Sequence, residues 1–354
     1  MPIYNGTDKE VEVDLNNIIC ETISNYSVMS LEKQSDKKRL DNILKDISLE
    51  HLNSEESDSI KCIINEYSDI FFVDGDKLSS TCATTHKIQT TCEKPRFTRQ
   101  YRIPSAQKDI IHNEISKMLE DGIIKESSSP WNSPLLVVPK KNDVNGNKKW
   151  RVVVDFRKIN DATISDAYPL PLITDILDQL GRSRYFTSLD LASGFHQISM
   201  DPMDSEKTAF STAYGHYEFL RMPFGLKNAP ATFQRLMNTV LSGLQGFKCF
   251  IYMDDIVVYG ESLQSHNEKL KEILDRLRIH NLKLQPSKCN FLRKEIIFLG
   301  HKITSNGIKP DEEKISVIKD FPEPKNVKEV KSFLGMLSYY RKFIPKLATF
   351  ESHK

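Results

Sequence analysis

Two adjacent carboxylates, Asp254 and Asp255, sit between the runs Phe250-Ile251-Tyr252-Met253 and Ile256-Val257-Val258-Tyr259. Each run is rich in β-branched and aromatic residues and reads as a short buried strand, which puts the Asp pair at a tight turn. Apolar flanks rarely surround two charges unless something offsets the cost, and a metal ion is the usual partner for an unpaired couple. These ten residues alone leave a surface hairpin open as the alternative. A third carboxylate, Asp190, ends the strand Arg184-Tyr185-Phe186-Thr187-Ser188-Leu189, just before the small-residue turn Leu191-Ala192-Ser193-Gly194. It precedes the pair by 64 and 65 residues, enough chain for two antiparallel strands to meet side by side. Carboxylates brought together in this way can hold two Mg²⁺ ions roughly 3.5–4 Å apart, the clamp for an in-line phosphoryl displacement.

Upstream, the strand Leu135-Leu136-Val137-Val138 and the strand Trp150–Asp155 flank a polar loop with the turn signal Asn145-Gly146. Lys140, Lys141, Lys148 and Lys149 lie at or near its tip, and Arg151 follows. The local reading is a solubilising loop, since charge runs are usually solvated. The functional alternative is a phosphate clamp, in which Lys acts as a point charge and Arg as a bidentate fork.

The elements that must position these groups are legible from periodicity. Residues 1–35 show none. From Asp36, Leu40, Ile43, Leu44 and Ile47 recur at helical spacing, and after Asn53-Ser54 so do Ile60, Ile63, Ile64 and Tyr67, which predicts a small helical hairpin. Residues 73–100 read as an extended polar connector. Ser105 is placed to cap a helix carrying Ile111, Ile115 and Met118, ended by Gly122. Pro171–Leu180 reads as a helix closed by Gly181. The run Phe219–Gln234 reads as strand, Pro/Gly turn and helix, with Phe233, Leu236, Met237 and Val240 facing the core. Ser265 opens a helix with Leu270, Ile273, Leu274 and Leu277 inward. Strands at Asn290–Leu292 and Ile296–Ile303 follow, the latter closing on Asn306-Gly307, and a helix runs from Val327 to Phe343.

A chain of 354 residues, 39% hydrophobic and 27% charged, holds one large or two ordinary domains. No run reaches bilayer length and the N-terminus lacks a signal-peptide pattern, so the expectation is an intracellular, cytoplasmic protein without a membrane partner. Its six cysteines are scattered with no Cys-x-x-Cys pair, which disfavours zinc and a disulfide framework. The net charge of +1 conceals 8 Lys+Arg against 17 Asp+Glu in residues 1–85. The remainder carries a balance of +10, so the acidic segment and the basic body read as separate units, the latter suited to a polyanion.

In combination, six motifs resemble the reverse transcriptases of gypsy-type long-terminal-repeat retrotransposons, relatives of retroviral polymerases. They are Trp131-Asn132-Ser133-Pro134; Arg151-Val152-Val153-Val154-Asp155-Phe156-Arg157; Tyr185 to Gln197; Met222-Pro223-Phe224-Gly225-Leu226-Lys227-Asn228-Ala229-Pro230; Tyr252-Met253-Asp254-Asp255; and Phe298-Leu299-Gly300-His301. The resemblance covers His86 to Phe343. It implies an α+β right-hand polymerase: fingers in 86–165 and 198–228, palm in 166–197 and 229–306, and a truncated thumb in 307–354, after an acidic leader in 1–85.

By the family pattern Asp190, Asp254 and Asp255 are catalytic. Asp190 and Asp254 bind two Mg²⁺ ions, with Mn²⁺ as a substitute, helped by the Leu191 carbonyl and by Asp255. Lys140, Lys141 and Arg151 fall where the fingers meet the incoming triphosphate, which reverses the local reading of that loop. Phe195 falls at the sugar gate, where a flat ring leaves no room or partner for a 2′-hydroxyl. Phe298, Leu299, Gly300 and His301 form the primer grip, and Lys288 is the candidate proton donor to pyrophosphate. Phe224 stands where retroviral enzymes carry Gln, so it receives only a packing role in the nucleotide pocket. The implied partners are an RNA or DNA template with its primer, deoxynucleoside triphosphates, and the protease, ribonuclease H and integrase of an intact polyprotein, with virus-like particles as a setting. No Asp-Thr/Ser-Gly occurs, and the chain stops at Lys354, early in the thumb. It therefore reads as a polyprotein fragment, residues 1–85 being the linker from an upstream protease. A catalytically incompetent template-primer binding fragment, or a two-metal enzyme with another substrate, are the alternatives.

Overall fold

Short runs of β-branched and aromatic residues become strands throughout, because their side chains pack well on a pleated surface. In chain order these are β1 (Thr81–His86), β2 (Ile124–Glu126), β3 (Leu135–Pro139), β4 (Trp150–Val154), β5 (Tyr185–Asp190), β6 (Ile198–Met200), β7 (Phe210–Thr212), β8 (Gly215–Phe219), β9 (Cys249–Tyr252), β10 (Asp255–Gly260), β11 (Asn290–Arg293), β12 (Glu295–Phe298), β13 (His301–Thr304) and β14 (Gly307–Pro310). The structure, a computed structural model, describes residues 37–139, 150–169, 171, 176, 180, 183–305 and 307–344. Lys140, Lys141, Gly181 and most of the helix expected at Pro171–Leu180 lie outside the described residues, although Ile176 and Leu180 are helical and buried.

The central sheet has the order β11-β5-β10-β9 and is antiparallel throughout. Both of its faces are covered, which is why its strands are apolar at consecutive positions. On one face Leu189, Ile251, Ile256 and Val258 join Met237, Val240, Leu270 and Leu274 in the main core. These last four belong to the helices Ala229–Val240 and Leu263–Ile279. On the other face Phe186, Phe250, Val257 and Tyr259 pack with Ile296, Phe298 and Ile303 from the sheet β12-β13-β14.

Local chemistry explains most boundaries. Asn53 makes a capping box with Glu56 at the start of Ser54–Glu66. Ser262, rather than Ser265, caps Leu263–Ile279, accepting the Ser265 N–H at 3.2 Å. Ser105 starts a 3-10 turn instead of capping, and the helix proper is Lys108–Glu120. Gly122 ends it at φ 64°. The polar connector contains β1, which pairs in parallel with β6. The expected strand Ile296–Ile303 is instead a hairpin, because Leu299 and Gly300 take φ of 49° and 70° and turn the chain back.

The described part of the acidic stretch, from residue 37 on, does not stand apart in its packing. Ile43, Ile60 and Ile64 join the same core as Leu270 and Leu274. Tyr67 donates to Asp275 at 2.8 Å, and Lys271 and Arg278 pair with Glu66 and Asp69. The negative charge of this segment is met by basic groups on the body, so the asymmetry in sequence marks an interface rather than a gap. No helix among the described residues is long and apolar enough to cross a membrane.

Candidate active site

Asp190 is the last residue of β5 and Asp255 the first of β10, and the two stand opposite each other in the antiparallel register. Alternate residues of a strand share a face, so both carboxylates lie on the side of Phe186 and Val257, the side that carries β12 and β13. Asp254 occupies the turn Met253-Asp254 between β9 and β10. The family pattern joins Asp190 with Asp254, the first Asp of the pair; the ladder puts Asp255 directly across and Asp254 one residue further along.

Like charges facing each other across a ladder are destabilising, and the carboxyls show it. Asp255 is pushed up to about 6 by loss of water around its carboxyl and by the charges of Asp254 and Asp190, with Lys288 opposing. Asp190 is also raised, by burial and then by Asp254, against the pull of Lys288. The Lys288 ammonium donates to Asp190 Oδ1 at 3.1 Å and supplies the cation this acidic cluster lacks.

The backbone around the carboxylates is held from two sides. Gln285 N–H donates to the Asp190 carbonyl and Ala192 N–H to the Lys283 carbonyl, each at 2.9 Å, so β5 runs on as a short ladder past Leu191. The Leu191 carbonyl takes no part in these bonds. Fully buried Gln197 ties the same segments, donating to the Ala192 and Lys283 carbonyls and accepting the Lys283 N–H. At the carboxylate turn Met253 adopts φ 54°, a conformation costly for a side chain that is not glycine. Its N–H donates to Gln234 Oε1 at 2.8 Å, and Gln234 is fully buried on Ala229–Val240 and donates in turn to Asn238. A core glutamine thus fixes the turn.

Phe195 is half-buried between two rings, stacked on Phe224 at 4.9 Å and tilted against Phe233 at 5.3 Å. Gly194 permits this: a Cβ there would sit 3.0 Å from the Phe233 ring. Arg151 is exposed on β4, across from Val138. Near it Asp155 is held down at about 2 by the Arg157 guanidinium, which it contacts at 2.6 and 2.8 Å, despite its burial. Phe298 to His301 form the turn of the β12–β13 hairpin, with Phe298 in the cluster that covers the carboxylate face.

The donor chemistry suits a hard divalent cation: Asp190 and Asp255 share one face with Asp254 on the adjoining turn, and the first two are raised by burial and by the charge of Asp254. As they stand, the described residues hold no group of three acidic, His or Cys side chains at ligating spacing, Asp190 being engaged by Lys288. The residues therefore fit in type, and Asp190 must leave Lys288 to ligate.

Residues 138–303 match the family described as reverse transcriptase (RNA-dependent DNA polymerase). The chain is 47% identical over 91% of its length to the Pol polyprotein of transposon 297 of Drosophila melanogaster, and 42% identical over 78% to that of transposon gypsy. It spans 30% and 27% of those polyproteins. Among solved structures it superposes on the foamy viral protease-reverse transcriptase in complex with double-stranded DNA at TM-score 0.76 and 26% identity, covering 90% of this chain and 54% of that one. The RNA/DNA hybrid complex of the foamy viral protein gives TM-score 0.71 at 25% identity over 87% of this chain and 40% of that one.

Residues 138–303 form a reverse transcriptase domain.

As a reverse transcriptase fold it brings together Asp190, Asp255 and Lys288, with Asp254 on the adjoining turn, and it joins Phe195 to Phe224. Arg151 lies apart on the β3–β4 hairpin. The residues that sequence reasoning passed over are Gln234 and Gln197. Gln234 sits at helical spacing with Met237 and Leu241 on a core face, and a polar side chain there must find a buried partner. That was the available signal.

Proposed function

We propose that the chain is the polymerase portion of a retrotransposon polyprotein, an RNA-directed DNA polymerase that also accepts DNA templates. The primer 3′-hydroxyl oxygen bonds to the α-phosphorus of a deoxynucleoside triphosphate, the bond from that phosphorus to the β-bridging oxygen breaks, and pyrophosphate leaves. The observation that carries this reading is the register opposition of Asp190 and Asp255 with Asp254 at the adjoining turn. Asp190, Asp254 and the Leu191 carbonyl would hold two Mg²⁺ ions, or Mn²⁺, with Asp255 alongside. Bound there, such ions neutralise phosphate charge and favour the ionised 3′-oxygen.

The chain's own groups supply position and charge. Arg151, with Lys140 and Lys141, steadies the triphosphate. Phe195, backed by Phe224 and Phe233, bars a 2′-hydroxyl, and Phe224 serves only as packing. Lys288, already in the carboxylate cluster, is the donor of a proton to leaving pyrophosphate. Phe298–His301 hold the primer end. In this reading fingers comprise 86–165 and 198–228, palm 166–197 and 229–306, and the thumb begins at 307. Template-primer is the principal partner, as the foamy viral complexes with hybrid and duplex support. The remaining polyprotein domains and an intracellular particle complete the setting.

The test is extension of a DNA primer on poly(rA) with Mg²⁺. Wild-type chain, alone and continued to the length of its curated relatives, is expected to extend it, and Asp254→Asn to abolish extension. Failure of both soluble, folded forms to extend overturns the reading. One observation favours a second reading, a template-primer binding module without catalysis: Asp190 is engaged by Lys288 and the described residues hold no ligating group of three. Such a module binds duplex through its backbone with strong salt dependence and incorporates nothing, so affinity and incorporation measured on one sample separate the two.

A further inference from the structure

The turn Leu299-Gly300 carries two consecutive residues in the left-handed region, and Leu299 is there without the freedom of a glycine. Something must hold it. Three bonds from the C-terminal part of the chain converge on its two carbonyls. Tyr339 Oη donates to the Leu299 carbonyl at 2.6 Å, Tyr340 Oη donates to the Gly300 carbonyl at 3.2 Å, and the Asp311 N–H donates to the same Gly300 oxygen at 3.1 Å. His301 Nδ1 closes on the Leu299 carbonyl at 2.8 Å, and its ring packs among Tyr339, Tyr340 and Phe343 at 5.5–5.7 Å. Gly300 is required for the fit, since a Cβ would lie 3.0 Å from the Tyr340 hydroxyl. Beside the turn lies an open, mostly apolar pocket of about 310 Å³ lined by Lys314, Val317, Ile318 and Met336 together with the two tyrosines.

The turn is also joined to the carboxylate side. Phe298 is buried with Phe250 and Val257, and Leu299 and Tyr252 pack against the same cluster. Tyr252 is the residue across from Asp255. A displacement of the turn therefore reaches the carboxylate hairpin through contiguous packing.

We propose that Tyr339 and Tyr340 are positioning residues whose hydroxyls lock the Leu299-Gly300 turn and so set where a primer 3′ end lies relative to Asp190, Asp254 and Asp255. This rests on the polymerase reading and on the primer-grip role of the turn. The helix Val327–Tyr339 and the grip then move as one body, because the helix ends at the residues that make the clamp.

Tyr339→Phe, Tyr340→Phe and the double variant keep the rings on His301 and remove only hydroxyls. Two measurements on the full chain decide the matter. In free protein, amide exchange of the peptide 298–304 is expected to accelerate about five-fold in each single variant and about twenty-fold in the double, the loss of one and two ordinary hydrogen bonds. In primer extension under a heparin trap, release of primed template is expected to accelerate by similar factors, with the maximal incorporation rate falling while the KM for deoxynucleotide stays constant. A merely structural role would leave that split and the release rate unchanged at equal melting temperature. Wild-type exchange and wild-type release in the double variant overturn the clamp. If wild-type protein extends no primer, the polymerase reading falls, while the exchange arm still decides whether the hydroxyls lock the turn.

Discussion

Replacing Gln234 with methionine keeps the volume of the side chain in a fully buried position and removes the acceptor of the Met253 N–H. An amide left without its partner in such a place costs about 1–3 kcal/mol. The left-handed backbone that the bond restrains stores roughly another 1–2 kcal/mol. With the restraint gone, the turn relieves its strain by leaving φ 54° and carries Asp254 with it. A shift of about 2 kcal/mol in the turn's equilibrium corresponds to roughly a thirty-fold drop in the population of the competent arrangement. The expected result for Gln234→Met is thus a fall of about thirty-fold in the single-turnover incorporation rate, read by rapid quench on a primed template. The melting temperature should change by only a few degrees, since methionine fills the site. Met253→Gly in the same background should restore most of the rate, because glycine holds a left-handed turn without help. Wild-type incorporation by Gln234→Met, or no recovery on adding Met253→Gly, would refute the reasoning.

Acid should unfold the chain through its buried histidines. His86 and His266 are both depressed to about 4 by burial. The unfolded state thus binds the extra protons between about 6.5 and 4, and stability is full above that window and falls with pH through it. Between pH 7.5 and 5 the loss is about 2 kcal/mol for each residue, visible as a lower urea midpoint, and an unchanged midpoint would contradict it. Phe195→Val should open space between Phe224 and Phe233 and raise ribonucleotide incorporation relative to deoxynucleotide by roughly 10–200-fold; competition between the two nucleotides on one template checks this. Gly260→Ala would drive a Cβ to within 2.7–2.9 Å of the His266 Cβ and backbone, costing about 3 kcal/mol, measurable as a drop in the denaturant midpoint.

The acid pair between two apolar runs and Asp190 at a strand end were both legible without coordinates, because strands declare themselves by side-chain type. Helices with one apolar stripe were equally plain. Their starts were less so, as Ser262 and Ser265 offer the same chemistry and only the backbone geometry chooses between them. The break at Leu299 was hidden, since a leucine in the left-handed region is imposed by partners forty residues away. Acidity alone suggested that residues 1–85 stood apart. Among the described residues of that stretch, Tyr67, Glu66 and Asp69 contact the Leu263–Ile279 helix; charge asymmetry along a chain is silent about whether the two halves meet.

What the sequence by itself determined is the set of reactive groups and the elements that carry them, for these follow from local propensity and periodicity. Tertiary structure alone decided that Asp255 rather than Asp254 faces Asp190, that Lys288 closes on that pair, and that Gln234 restrains the turn. Register, ion pairing and buried hydrogen bonds join residues far apart in the chain, and their energies depend on a geometry that local propensity does not encode.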